Sequence, residues 1–304
     1  MPENYLRFWG VRGSYPAPFA SHMKIGGNTP CVELRLGEHT ILFDAGTGVI
    51  PFAQARVADS DTGRLSVFLT HYHWDHISGL PFFIPAFLPG YSLDFYGPAE
   101  SPAELEEHIA QQMRAPYFPV ETETWLASIR YHTPHYEPVV IGPARISAFV
   151  LHHPGLTYGY RIEVNGKVIL YCPDNEIFFV NRRIDSIRDE FDESERELLE
   201  EMKAEQRGRV TNYMRDADVL IHDAQYTEED YERKRGWGHS CYTDTVASAM
   251  EANVKNLYLF SYDPNYNDTQ VDKLHINANK LIADQQSSTI CHKTCEGLVI
   301  NLDE

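Results

Sequence analysis

Thr70-His71-Tyr72-His73-Trp74-Asp75-His76-Ile77-Ser78-Gly79 places three imidazoles and a carboxylate within six positions, directly behind the apolar run Leu65-Ser66-Val67-Phe68-Leu69. That run reads as a buried strand. Alternate side chains share a side in extended chain, so His71 and His73 fall together as the chain leaves the strand, while Asp75 and His76 point elsewhere. So many ligands in so short a span mark a metal site. The alternation suits two adjacent ions, with His71 and His73 on the first and Asp75 and His76 on the second, the Asp75 carboxylate able to hold a bridging water. One or two divalent ions are expected, zinc foremost, although imidazole and carboxylate donors suit manganese and iron as well.

Other strand ends carry similar groups. Upstream, Thr40-Ile41-Leu42-Phe43 ends in Asp44-Ala45-Gly46-Thr47-Gly48. A carboxylate there is costly to bury unless it is paired, and Asp44 is expected to orient a ligand histidine or its loop rather than to ligate. Downstream, a strand over 146–151 runs into His152-His153-Pro154-Gly155, repeating the geometry of the central motif. One of these two histidines should complete the first ion's set, and side-chain geometry alone does not choose between them. The strand over 167–171 leads to Asp174, and Ala217 to Tyr226, which includes His222, reads as strand then loop. Trp237-Gly238-His239-Ser240 is a glycine-bracketed turn, with Ser240 placed to cap a helix through 252. His239, exposed at that helix start, is a candidate for proton transfer.

Between these points, 80–87 is apolar with two prolines, a packed loop or broken helix and a candidate pocket wall. Ser101-Pro102-Ala103-Glu104 opens a helix running to about Met113, with Ser101 as cap and Glu104 closing a capping box. Ala115-Pro116-Tyr117-Phe118-Pro119 is an aromatic, proline-stiffened loop, suited to core packing and to substrate contact alike. His132 and His135 lie in a turn-like stretch without further ligands. Residues 185–209, within a charged insertion at about 182–210, alternate in sign at helical spacing and read as a solvated helix. Phe178, Phe179 and Phe191 at its border hint at a contact over the pocket or across a homodimer.

The 304 residues carry 26 basic and 44 acidic side chains, a formal charge of −18. That balance argues against an extended grip on nucleic acid, which needs clustered Lys and Arg. A small phosphorylated substrate remains compatible, because bound metal ions supply local positive charge. The five cysteines are scattered and odd in number, as expected of free thiols in a reducing compartment. Neither a leader-like start nor an apolar run near 18 residues is present, so a cytoplasmic protein without a membrane span is expected. Nothing marks a linker: residues 1–304 read as one unit with two αβ halves, about 1–145 and 146–304.

His-x-His-x-Asp-His after a strand resembles the signature of the metallo-β-lactamase-fold hydrolases. The resemblance extends to Phe8-Trp9-Gly10-Val11-Arg12-Gly13-Ser14, Gly26-Gly27-Asn28-Thr29, the Asp44 to Gly48 segment, Pro116-Tyr117-Phe118-Pro119, Trp237-Gly238-His239-Ser240 and Asp263-Pro264. It points to the branch of ribonuclease Z and the cyclic-nucleotide phosphodiesterases. The implied fold is α/β, a four-layer αβ/βα sandwich with metals at one edge between two mixed sheets. In that branch the ligand precedes the glycine of a Gly-Tyr-Arg-Ile segment by six residues, which selects His153, and Asp174 takes the place of the carboxylate bridging both metals. His222 then has a structural role or orients a ligand, and His239 sits near the leaving group. Ser261 stands where relatives carry a histidine completing the second metal's set.

The activity so implied is metal-dependent hydrolysis of a small phosphodiester, cyclic nucleotides included, with Asp75 and His239 as catalytic groups. Two alternatives are a tRNA-processing endoribonuclease, which should carry a basic RNA-gripping arm not seen here, and a non-catalytic metal-binding or regulatory module with a degraded second site at Ser261.

Overall fold

Apolar and alternating runs bounded by turn residues become strands, and their order builds two sheets. The computed structural model describes residues 2–59, 63–134 and 137–303. β1 (Asn4–Gly10), β2 (Cys31–Leu36), β3 (His39–Phe43), β4 (Arg64–Phe68), β5 (Ser92–Tyr96) and β6 (Ser128–His132) come first. β7 (Val139–Ile141), β8 (Ala144–Val150), β9 (Tyr158–Val164), β10 (Lys167–Cys172), β11 (Val219–Asp223), β12 (Asn256–Phe260) and β13 (Ile290–Lys293) follow, and β14 (Val299–Asn301) closes the series. The first sheet is ordered β14-β1-β2-β3-β4-β5-β6 and the second β13-β12-β11-β10-β9-β8-β7. Both are mixed: β3 to β6 and β10 to β13 pair in parallel, and the remaining neighbours pair antiparallel. Open sheets bind ligands outside the carboxyl ends of their strands, and the candidate residues lie there, after β3, β4, β8, β10, β11 and β12.

The helices are α1 (Val49–Ala58), α2 (Trp74–Ile77), α3 (Ile84–Phe87), α4 (Pro102–Gln111), α5 (Phe179–Ile187), α6 (Glu193–Met214), α7 (Glu228–Lys234), α8 (Tyr242–Glu251) and α9 (Asp268–Asp284). α1 and α4 bury Val49, Phe52, Leu105 and Ile109 with Leu65, Val67, Leu93 and Phe95 of the first sheet. On the second sheet α8 and α9 contribute Val246, Ala249, Val271 and Leu274. Aromatic rings join the sheets, with Phe43 packing 5.7 Å from Tyr160 and 5.5 Å from Tyr171 between centroids. Each sheet thus buries both faces, which requires helices outside and a shared core inside. The result is the four-layer αβ/βα sandwich of the metallo-β-lactamase type.

Local expectations need amending in places. Ser101 Oγ accepts from Glu104 N, but the Glu104 carboxylate accepts from Glu100 N instead of closing a box on Ser101. The charged insertion is two helices, not one. Asp192 and Glu195 form a reciprocal capping box that starts α6 afresh after α5, and charge alternation alone does not reveal such a restart. Arg182 and Arg207 fasten this pair to Asp244 and Glu251 of α8. His132 hydrogen-bonds Asp94, and His135 lies outside the described residues. The five cysteines are unpaired, and among the described residues no helix is long and apolar enough to cross a membrane.

Candidate metal centre

The centre starts from a strained strand end. Asp44 follows β3 with φ +60°, a left-handed conformation that aspartate tolerates better than most residues. Its carboxylate accepts from Thr70 N at 2.8 Å, His76 Nδ1 at 2.8 Å and the Tyr171 hydroxyl at 2.9 Å. A fully buried charge is thereby satisfied, and the His76 ring is fixed with Nε2 facing inward. The loop behind Asp44 lies hard against the motif: a Cβ on Gly46 would stand 2.1 Å from Asp75 O.

After β4 the chain extends through His71 and His73 and then turns into α2, whose first residues are Trp74, Asp75 and His76. His73 Nδ1 lies 3.0 Å from both His71 Nε2 and His153 Nε2. Asp174 Oδ2 stands 3.6 Å from His71 Nε2 and 3.5 Å from His153 Nε2. His153 donates its Nδ1 hydrogen to Gly238 O at 2.8 Å, leaving Nε2 as the acceptor side of the ring. Gly238 has φ +91°, and a Cβ there would reach within 2.3 Å of His153 Nδ1. Glu176 holds this turn by accepting from Gly236 N and Gly238 N. The neighbouring His152 turns away, exposed and stacked on Phe179 at 4.5 Å.

The second group is offset towards Asp44. His76 Nε2 has Asp75 Oδ2 at 3.3 Å and Asp174 Oδ1 at 3.2 Å, yet it is buried without a hydrogen bond to either. Asp75 Oδ2 also accepts from Ser14 N at 2.7 Å. A third group joins Asp174, Asp223 and His239, so Asp174 is common to all. His239 Nδ1 donates to Asp223 Oδ2 at 2.6 Å, and His239 Nε2 lies 3.9 Å from Asp174 Oδ2.

The donor set fits divalent ions. Ligands at about 2.0–2.1 Å around a tetrahedral zinc stand roughly 3.3 Å apart, and the observed spacings in the first group straddle that value. Burial pushes His71 well below its ordinary pKa, with the neighbouring His76 adding to it, lowers His73, and brings His153 to about 4. These rings are neutral and present lone pairs. Burial also opposes a charge on His76, but Asp174, Asp75 and Asp44 together raise it well above the usual range. The carboxylates that hold a proton there are the charges a cation would need. The converse holds for Asp174: burial works against its ionised form, and His76 and His239 outweigh it, keeping the carboxyl well below the usual range.

Two placements differ from expectation. His239 is buried, not exposed, because the Glu176-held turn packs it between Asp223 and Tyr226. Ser240 does not cap α8. Its hydroxyl donates to Asn175 O and accepts from Ile177 N, and Cys241 takes the cap position without a side-chain bond. His222 lies apart from the three groups, between Asn175 Nδ2 at 3.0 Å and Asp223 O at 2.8 Å, and burial lowers it to about 4. Ser261, at φ +58°, makes long contacts of 3.4 Å to Asp174 Oδ1 and 3.5 Å to Gln225 Oε1. Sequence reasoning overlooked Asp223, the Tyr171 hydroxyl, Glu176 and the Ser14 amide. Only Asp223 carried a signal, as a second carboxylate ending an apolar strand in the manner of Asp44.

A family profile described as "Beta-lactamase superfamily domain" matches residues 39–194. A ribonuclease Z of Sulfurisphaera tokodaii is 27% identical over 281 residues, covering 79% of this chain and 84% of its own. Among solved structures, the metallo-β-lactamase fold protein YhfI from Bacillus subtilis superposes with a TM-score of 0.67 at 19% identity, over 98% of this chain and 99% of that one. Unliganded yeast PDE1 gives a TM-score of 0.64 at 15% identity, over 99% of this chain and 100% of its own. At such identities the structural likeness speaks for the fold alone.

Proposed function

The chain belongs to the beta-lactamase superfamily, and from that premise we propose that it hydrolyses a small phosphodiester, cyclic nucleotides included, at the centre just described. The observation that carries this reading is the convergence of His71, His73 and His153 with Asp174, from separate strand ends, at the spacing of ligands around one cation. In this reading His71, His73, His153 and Asp174 hold one ion, zinc foremost, and Asp75, His76 and Asp174 hold a second. Divalent ions held there would supply Lewis acidity, lowering the pKa of a water and offsetting charge on phosphoryl oxygens. Asp44 fixes the His76 ring. Asp75, steadied by the Ser14 amide, orients the attacking water. His239, aligned by Asp223, gives its proton to the departing alkoxide.

The test combines metal content with turnover. His73→Ala protein that keeps its circular dichroism should lose bound metal by elemental analysis, and cleavage of bis(p-nitrophenyl) phosphate or a cyclic nucleotide should fall by about a hundredfold or more. Hydrolysis persisting in metal-stripped wild-type protein would overturn the scheme. A second reading, an endonuclease acting on RNA, draws support from the relatives named ribonuclease Z. Faster cleavage of a structured tRNA precursor than of a small diester would favour it.

A further inference from the structure

Trp74 stands between His73 and Asp75 with 77% of its surface exposed, an unusual setting for the largest apolar side chain. Tyr117 is 78% exposed. Both line one cavity of about 650 Å³, whose wall also includes Ile77, Pro81, Ser78 and Gln112. That size is ordinary for a small-molecule site. The arginine in the wall, Arg114, is committed to Glu107 through two hydrogen bonds of 2.7 and 2.6 Å. The rest of the wall offers mainly flat aromatic and apolar faces. Gln112 Nε2 and Ser78 Oγ, although their residues belong to the wall, are buried away from the cavity, so the rings of Trp74 and Tyr117 are the surfaces an occupant meets.

We infer that this cavity is a base-binding subsite. A nucleoside phosphodiester seats its phosphate at the metal centre and stacks its purine or pyrimidine on Trp74 and Tyr117. The inference rests on the phosphodiester reading given above. It is sequence-tolerant by construction, because every base has a π-face.

Calorimetry on the metal-loaded protein tests it, with adenosine 5′-monophosphate and ribose 5-phosphate as probes. Wild type should bind the nucleotide about tenfold or more tightly than the sugar phosphate, and the nucleotide alone should quench indole fluorescence. Trp74→Ala and, further from the ligands, Tyr117→Ala should each remove most of that preference and leave ribose 5-phosphate affinity and metal content unchanged. Equal binding of the two probes to wild type, or a preference surviving both substitutions, overturns the subsite while leaving the diester reading intact if diesters are still cleaved. Failure of both probes to bind, with no diester cleaved, overturns the diester reading and the subsite with it.

Discussion

Burial opposes a charge on His239, but Asp223 and, after it, Asp174 outweigh burial and raise the imidazole to about 9. Asp223 is itself held, by His239 Nδ1 on one oxygen and by Gln225 N and Ser240 N on the other. Asp223→Asn preserves the shape and removes the charge, so kcat for diester cleavage is expected to fall by about 10²–10³-fold with metal content unchanged. Loss of metal without an added fall in turnover per ion would reassign Asp223 to ion binding. The sequence shows why some of these residues can be found and others cannot. His71, His73, Asp75 and His76 are adjacent, so their density is visible in a single line of text. Asp223 shows in the sequence only as a carboxylate ending an apolar strand, and its role depends on a histidine 16 positions away, as that of the Gly238 carbonyl depends on His153, 85 positions away.

Between neighbouring strands, Asp94 on β5 is fully buried and gathers Arg64 from β4 with Arg130 and His132 from β6. Burial alone would raise this carboxyl. Hydrogen bonds from Arg130, Arg64 and His132 overcome it and hold the group well below the usual carboxylate range. A depressed folded-state pKa contributes stability that is complete above the unfolded value, near 3.9, and is lost as pH falls through the folded one. Asp94→Asn is therefore expected to cost about 1–3 kcal/mol at pH 7 by urea unfolding, the lower end favoured because both arginines are half exposed. The deficit should shrink as pH drops below about 4; a constant deficit would mean that the bonds matter and the charge does not. β3 and β12 are readable as mainly apolar runs, and β2, Cys31-Val32-Glu33-Leu34-Arg35-Leu36, by its alternation. β6, an edge strand that is half exposed, and α9, whose buried Val271, Leu274, Ala278 and Ile282 are diluted by polar neighbours, give no comparable signal.

Across the whole molecule the two sheets are tied by side chains as well as by shared core: the Tyr160 hydroxyl of β9 donates to Leu69 O beyond β4, and Tyr171 of β10 reaches Asp44 beyond β3. The order of strands within each sheet is set by such long-range pairings, which no local pattern announces; here only the resemblance carried that information forward. Asp174, common to the three candidate ligand groups among the described residues, has a consequence for the proposed pair of ions. One carboxylate cannot give its full charge twice, so a cation accepted on either side should depress affinity on the other, by roughly 5–150-fold and by the same factor whichever side fills first. Calorimetric titration of metal-free protein should then resolve two unequal equivalents, and Asp174→Asn should weaken both and narrow the gap between them. The protein would ordinarily work as a half-loaded and a fully loaded population, in proportions set by the surrounding supply of metal.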